Sequence, residues 1–198
     1  VAGDIELNVD GGDFNVLDGT VNLMKVSRLY QSTVLGYDAG RGIATELNSV
    51  AIGYEALKTE DGAVGNIAIG RDAMLSCNDD GADYNIAIGF EAMENCTAPG
   101  AFNIAVGYES LHTAGVTGGS NVAIGYKSMG NGAVTGNYNN IIGANAGDEL
   151  TDGSGNVALG HAALGGDNDG DYNIAIGYQA MGGTNLGNYN TTIGFQAL

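Results

Sequence analysis

One nine-residue alternation of apolar and polar positions recurs ten times along the chain, and its order is Asn, branched apolar, Ala, branched apolar, Gly, aromatic, variable, Ala, Leu or Met. It reads SVAIGYEAL (49–57), NIAIGRDAM (66–74), NIAIGFEAM (85–93), NIAVGYESL (103–111), NVAIGYKSM (121–129), NVALGHAAL (156–164), NIAIGYQAM (173–181) and NTTIGFQAL (190–198), with STVLGYDAG (32–40) and NNIIGANAG (139–147) as degenerate copies. The anchoring glycines are Gly36, Gly53, Gly70, Gly89, Gly107, Gly125, Gly143, Gly160, Gly177 and Gly194, at intervals of 17, 17, 19, 18, 18, 18, 17, 17 and 17 residues. The drift in period belongs to the connecting loops, because the phrase itself keeps its length. A period of two is the signature of a strand. Units this short, rich in Gly and in Val/Ile alternation, leave no room for two packed helices. The pattern predicts an all-β chain: a parallel β-solenoid, or β-roll, of about ten rungs, its strands stacked about 4.8 Å apart over a length on the order of 45 Å.

Within each phrase the two branched residues share one face and the alanine takes the other. The expectation is that the branched face is the core. The alanine row (Ala51, Ala68, Ala87, Ala105, Ala123, Ala158 and Ala175) then suits a second backbone approaching closely, as in a subunit interface along a fibre. Asn precedes the strand in eight copies, where stacked amides can bond along the ladder. The recurring glycine marks a corner that needs positive φ or close backbone contact. Residues 1–30 lack the phrase. Ile5, Leu7 and Val9 alternate, the pattern breaks at Asp10-Gly11-Gly12-Asp13, and a second apolar run starts at Phe14. The chain thus divides into an N-terminal β-strand segment, 1–30, that caps the first rung, and a repeat domain, 31–198. It opens on Val1 without Met and stops on a repeat unit, which reads as a piece of a longer protein.

The phrase SVAIGYEAL resembles the head repeats of trimeric autotransporter adhesins, whose NSVAIG-type units form a left-handed β-roll that assembles as a trimer. The resemblance covers about 32–198. Those heads commonly have a shorter period than the 17 to 19 residues here, and here an aromatic regularly follows the glycine. Units ending in YQAM or FQAL, spaced by segments such as GNYN (187–190), are more similar to the repeat tracts of tailed-phage tail fibres and other virion fibre proteins. The opening GDIELNVDGGDF is similar to the start of such fibre domains. The phage resemblance implies a homotrimeric structural fibre of the virion, extracellular, in contact with other virion proteins and with a host-surface glycan or protein receptor. The alternative is the head of a trimeric adhesin on a bacterial surface. A distant third is an ice- or mineral-binding solenoid, which needs a repeated exposed Thr row; only Thr191-Thr192 is similar to one.

Composition agrees with a turning, repetitive chain: 35 glycines and a single proline, Pro99, without the every-third-residue spacing of collagen. The net charge of −17 repels nucleic acid and anionic membrane surfaces. No apolar run approaches the roughly 20 residues of a membrane span.

Candidate chemistry is sparse, and the reading is of a non-enzyme with no catalytic, cofactor or metal residues. His112 and His161 fall in different repeats, and His161 takes a slot usually held by Tyr. Glu55, Glu91 and Glu109 share one slot with Asp38, Asp72, Lys127 and Gln179, as a solvated face would. Asp167-Asn168-Asp169-Gly170-Asp171 superficially resembles the start of a calcium loop, and Asp79, Asp80 and Asp83 crowd another, but neither supplies a bidentate Glu. Asn95-Cys96-Thr97 and Asn190-Thr191-Thr192 match a glycosylation sequon. Cys77 and Cys96 lack zinc partners; each lies seven residues after its own glycine, so stacking makes them neighbours able to form a disulfide. Twelve of the fourteen aromatics fall on two ladders, one after the glycine and one before the Asn or its equivalent. The rings either stiffen the stack or present a tyrosine stripe to glycan rings.

Overall fold

The computed structural model describes residues 5–8, 14–18, 21–26, 32–41, 48–59, 64–77, 81–96, 100–113, 115–166, 169–183 and 187–198. Among these residues thirteen strands form one sheet in strict chain order. The first three, β1 (Ile5–Asn8), β2 (Phe14–Asp18) and β3 (Val21–Val26), make an antiparallel meander. β3 then pairs antiparallel with β4 (Thr33–Leu35), Lys25 opposite Val34. From β4 onward all pairing is parallel and in register: β5 (Val50–Ile52), β6 (Ile67–Ile69), β7 (Ile86–Ile88), β8 (Ile104–Val106), β9 (Val122–Ile124), β10 (Asn140–Ile142), β11 (Val157–Leu159), β12 (Ile174–Ile176) and β13 (Thr191–Ile193). Ten parallel strands, one per phrase, make the expected solenoid, and no helix occurs among the described residues.

Three residues are short for a strand, but the ladder outlasts them. Val50 N–H donates to the Asn66 carbonyl at 2.8 Å, Gly53 to Leu35 at 2.8 Å, Glu55 to Tyr37 at 2.9 Å and Leu57 to Ala73 at 3.0 Å, and later rungs repeat the set. Val50 and Leu57 donate to the following rung, and Gly53 and Glu55 to the preceding one. A turn of one hand would swing them out of line. The chain avoids this with left-handed residues at alternate positions after the glycine, Glu55 at φ 54° and Leu57 at φ 54°, and so in every copy. Each non-glycine residue in that region costs about 1–2 kcal/mol, which the continuous ladder offsets. Gly53 itself sits at φ 137°, and a β-carbon there would collide with the carbonyl oxygen of Gly70 in the next rung. The phrase requires glycine for both reasons.

Burial reverses the expected faces. Ala51, Ala68, Ala87, Ala105, Ala123, Ala158 and Ala175 are interior to the chain, at most 1% exposed, while the flanking branched residues are half-buried or exposed. The close backbone that demands a small residue is therefore the chain's own opposite wall. The core fills with Leu57, Met74, Met93, Leu111, Met129, Leu164 and Met181 from the end of each phrase, together with Cys77, Cys96, Val116, Val134 and Leu150. The degenerate copies obey the same volume rule with the sizes exchanged. Ile141 takes an alanine slot where Gly147 takes a Leu/Met slot, and a β-carbon at Gly147 would lie 3.2 Å from Ile141 Cγ2. Val34 and Gly40 make the same exchange.

Two polar ladders run through the stack with opposite polarity. In the first, the Asn side chain accepts the N–H of the next Asn: Asn85 N–H donates to Asn66 Oδ1 at 2.7 Å, Asn103 to Asn85 Oδ1 at 2.7 Å, Asn121 to Asn103 Oδ1 at 2.9 Å, and so onward to Asn190, which donates to Asn173 Oδ1 at 2.9 Å. In the second, a backbone N–H donates to a side chain of the following rung: Val64 to Asp83 Oδ1 at 2.8 Å, Gly119 to Asn137 Oδ1 at 2.7 Å, Asn137 to Ser154 Oγ at 3.1 Å, Ser154 to Asp171 Oδ1 at 2.8 Å and Asp171 to Asn188 Oδ1 at 2.8 Å. The expected Asn ladder is present. The second, built from mixed Asp, Asn and Ser two residues earlier, has no single-residue signature in the sequence.

Candidate interaction surface

The outward side chains of β4–β13 form two columns, one apolar from Leu35 to Ile193 and the other apolar except at Thr33, Asn140 and Thr191, about 6.6 Å apart on the sheet and nine steps of about 4.8 Å long, or about 43 Å. Leu35, Ile88, Ile124, Ile142, Leu159, Ile174 and Ile193 are among its exposed members. A contiguous apolar stripe of this length is unusual on a monomer. Thr191 is exposed and Thr192 buried, so the one Thr pair is split between surface and core.

Beside these columns the residue after each glycine builds an aromatic stack. Tyr37 and Tyr54 lie 5.4 Å apart between ring centroids, Phe90 and Tyr108 5.1 Å, Tyr108 and Tyr126 5.3 Å, His161 and Tyr178 5.1 Å, and Tyr178 and Phe195 5.2 Å, with planes within 14° of parallel. Arg71 replaces a ring, its guanidinium 5.7 Å from the Tyr54 centroid and 5.3 Å from that of Phe90. The column breaks at Ala144. The second ladder has Tyr84 on Phe102 and Tyr172 on Tyr189, both at 5.4 Å. Stacking turns ring faces toward one another and leaves edges and hydroxyls to solvent. A sugar ring that packs on an aromatic face thus has access only where a ladder breaks.

The next slot is an acidic column in which each acidic member meets a basic side chain: Asp38 with Arg41 at 3.4 Å, Glu55 with Lys58 at 2.7 Å, Asp72 with Arg71 at 2.9 Å, Glu91 with the His112 imidazole at 3.5 Å and Glu109 with Lys127 at 2.9 Å. The Lys58 ammonium holds the Glu55 carboxyl below its usual range, and Lys127 does the same for Glu109. Glu91 goes the other way, pushed up by burial and by the neighbouring Glu94. Stacked carboxylates are tolerated because Arg and Lys side chains are threaded among them.

The remaining sequence candidates resolve individually. His161 is a ladder ring on Tyr178, whereas His112 faces Glu94 at 2.8 Å as well as Glu91. Asp171 and Asp83 accept backbone N–H bonds, Asp169 accepts a bond from Thr151, and Asp79, Asp80, Asp167 and Asn168 lie outside the described residues. In the two sequons, Asn95 donates to Glu94 and Asn190 donates to Asn173 Oδ1. Cys77 and Cys96 are buried and joined as a disulfide across adjacent rungs, with Cα atoms 4.9 Å apart. No helix among the described residues is long and apolar enough to cross a membrane. In comparisons with protein-family models, with curated proteins and with solved structures, none matches this chain.

Proposed function

We propose that this chain is a structural, non-catalytic segment of an extracellular fibre, a tail fibre of a phage virion that contributes to host attachment, assembled as a parallel homotrimer. The observation that carries the reading is the long apolar stripe on β4–β13, one column of which is apolar from Leu35 to Ile193, on a rod that continues its own ladder rung after rung. Together with the aromatic column it spans about 13 Å by 43 Å, roughly 560 Å² in projection. That is of the order of the roughly 800 Å² per partner that stable interfaces bury. The surface the trimer uses is therefore the branched-residue face; the alanine row is already filled by the chain itself. β1–β3 cap the first rung by pairing antiparallel with β4, which covers an edge otherwise open to another strand. The adhesin-head reading shares this architecture and differs in what the rod is attached to.

Sedimentation equilibrium tests the assembly: the expected mass is three times the 20.0 kDa of the chain. A stable monomer at micromolar concentration overturns the fibre reading. Binding of the intact assembly to host-surface glycans, absent when the apolar stripe alone is presented, separates an attachment tip from a plain shaft.

A further inference from the structure

We propose that Glu91, Glu94 and His112 form a binding site for a divalent transition-metal ion of the zinc class. The phrase places Glu91 two residues after Gly89, and a turn in which Glu94 N–H donates to the Glu91 carbonyl at 3.3 Å brings both carboxylates to one side. His112 occupies the slot of Glu94 one rung later, 18 residues on. One potential ligand atom from each residue falls within 4.8 Å of the others. His112 Nε2 lies 2.8 Å from Glu94 Oε2 and 3.5 Å from Glu91 Oε2.

Ligands at about 2.0–2.1 Å around a tetrahedral ion sit about 3.4 Å from one another. The His112–Glu91 edge already has about this length, and the His112–Glu94 edge needs to open by about half an ångström. A fourth position remains for water. The outer groups are also in place. Asn95 Nδ2 donates to Glu94 Oε2 at 3.0 Å and to the His112 carbonyl at 3.4 Å, so it orients one ligand and ties it to the rung of the other. Glu109, one rung on in the same column, is already paired with Lys127 at 2.9 Å. All three ligands are half-buried. An imidazole in the set favours zinc, cobalt or nickel over calcium and magnesium. The ion would bind the rung of Gly89 to that of Gly107, directly after the rung that Cys77–Cys96 binds to the rung of Gly70.

With 23 acidic residues the chain binds cations weakly in many places, so the test must separate this site from that background. Co²⁺ titration of metal-free protein, followed by visible absorption and calorimetry, should show one saturable site per chain displaced by Zn²⁺. His112→Gln and Glu94→Gln should each weaken it at least tenfold, while Asp148→Asn leaves it unchanged. Zn²⁺ should raise the melting temperature of the unaltered protein and not that of His112→Gln. Equal Co²⁺ affinity in His112→Gln, or no saturable site, overturns the proposal. Should a variant fail to fold, X-ray absorption of the Zn²⁺-loaded unaltered protein decides: imidazole ligation supports the site, and an all-oxygen shell overturns it.

Discussion

Asn156 donates both its backbone N–H, at 2.9 Å, and its side-chain amide, at 3.1 Å, to Asn139 Oδ1. One side chain thereby closes a joint between rungs that no three-residue strand would hold alone. At Asn121 the side-chain oxygen Oδ1 accepts the Asn139 N–H at 3.0 Å, and the side-chain amide donates to the Gly136 carbonyl at 2.9 Å, all buried. Asn121→Ala strands both partners and should cost about 2–4 kcal/mol, at about 1–3 kcal/mol for each unsatisfied group. Asn121→Ser should cost less, since Ser32 and Ser49 already accept the next rung's N–H at 3.3 Å. Chemical denaturation of the two variants checks the ranking.

The face reversal separates assembly from folding. Ala105 has no exposed surface and lies in the core, so Ala105→Gln should unfold the chain, read by circular dichroism. Ile124 faces outward, so Ile124→Arg should leave the dichroism unchanged and dissociate the assembly in sedimentation. The period of two was legible in the sequence, and so was the need for a small residue at Ala105. Which face turned inward was not, because alternation alone carries no sign: the deciding fact is the turn after the glycine, which brings the Leu or Met at the end of each phrase into the core beside the alanine. The Asn ladder could be read because one residue type repeats. The pairing of Glu94 with His112 could not, because two different residues share a slot and only stacking brings them together.

Core volume is conserved by exchange at Ile141 and Gly147. Ile141→Ala leaves a cavity and should cost about 2–5 kcal/mol, and Gly147→Leu overpacks and should cost about 1–3 kcal/mol. The double variant restores the common phrase, and Leu is already accepted in the left-handed backbone at Leu57 and Leu111. It should be more stable than either single variant, and a double-mutant cycle by denaturation measures the coupling.

The aromatic column lacks a ring at Ala144, between Tyr126 and His161. Ala144→Tyr extends the stack across the gap and should add about 0.5–1.5 kcal/mol for each new ring pair, seen as a higher melting temperature. The same substitution should abolish any glycan binding that uses the ring faces bordering the break.

Alkylation under denaturing, non-reducing conditions should label neither Cys77 nor Cys96, and mass spectrometry should recover one peptide linking them. The bridge closes a 19-residue separation, worth about 3 kcal/mol by the constraint it places on the unfolded chain. Cys96→Ala should lower stability by about that amount while the neighbouring rungs keep their register.

Units of 17, 18 and 19 residues all advance the rod by one hydrogen-bonded step, because the extra residues leave through the loops. Axial length is thus metered by the number of turns and not by the number of amino acids. Loops can be exchanged, lengthened or decorated at a fixed pitch while the distance between the two ends stays constant. Such a chain is a ruler whose graduations can each carry a different mark.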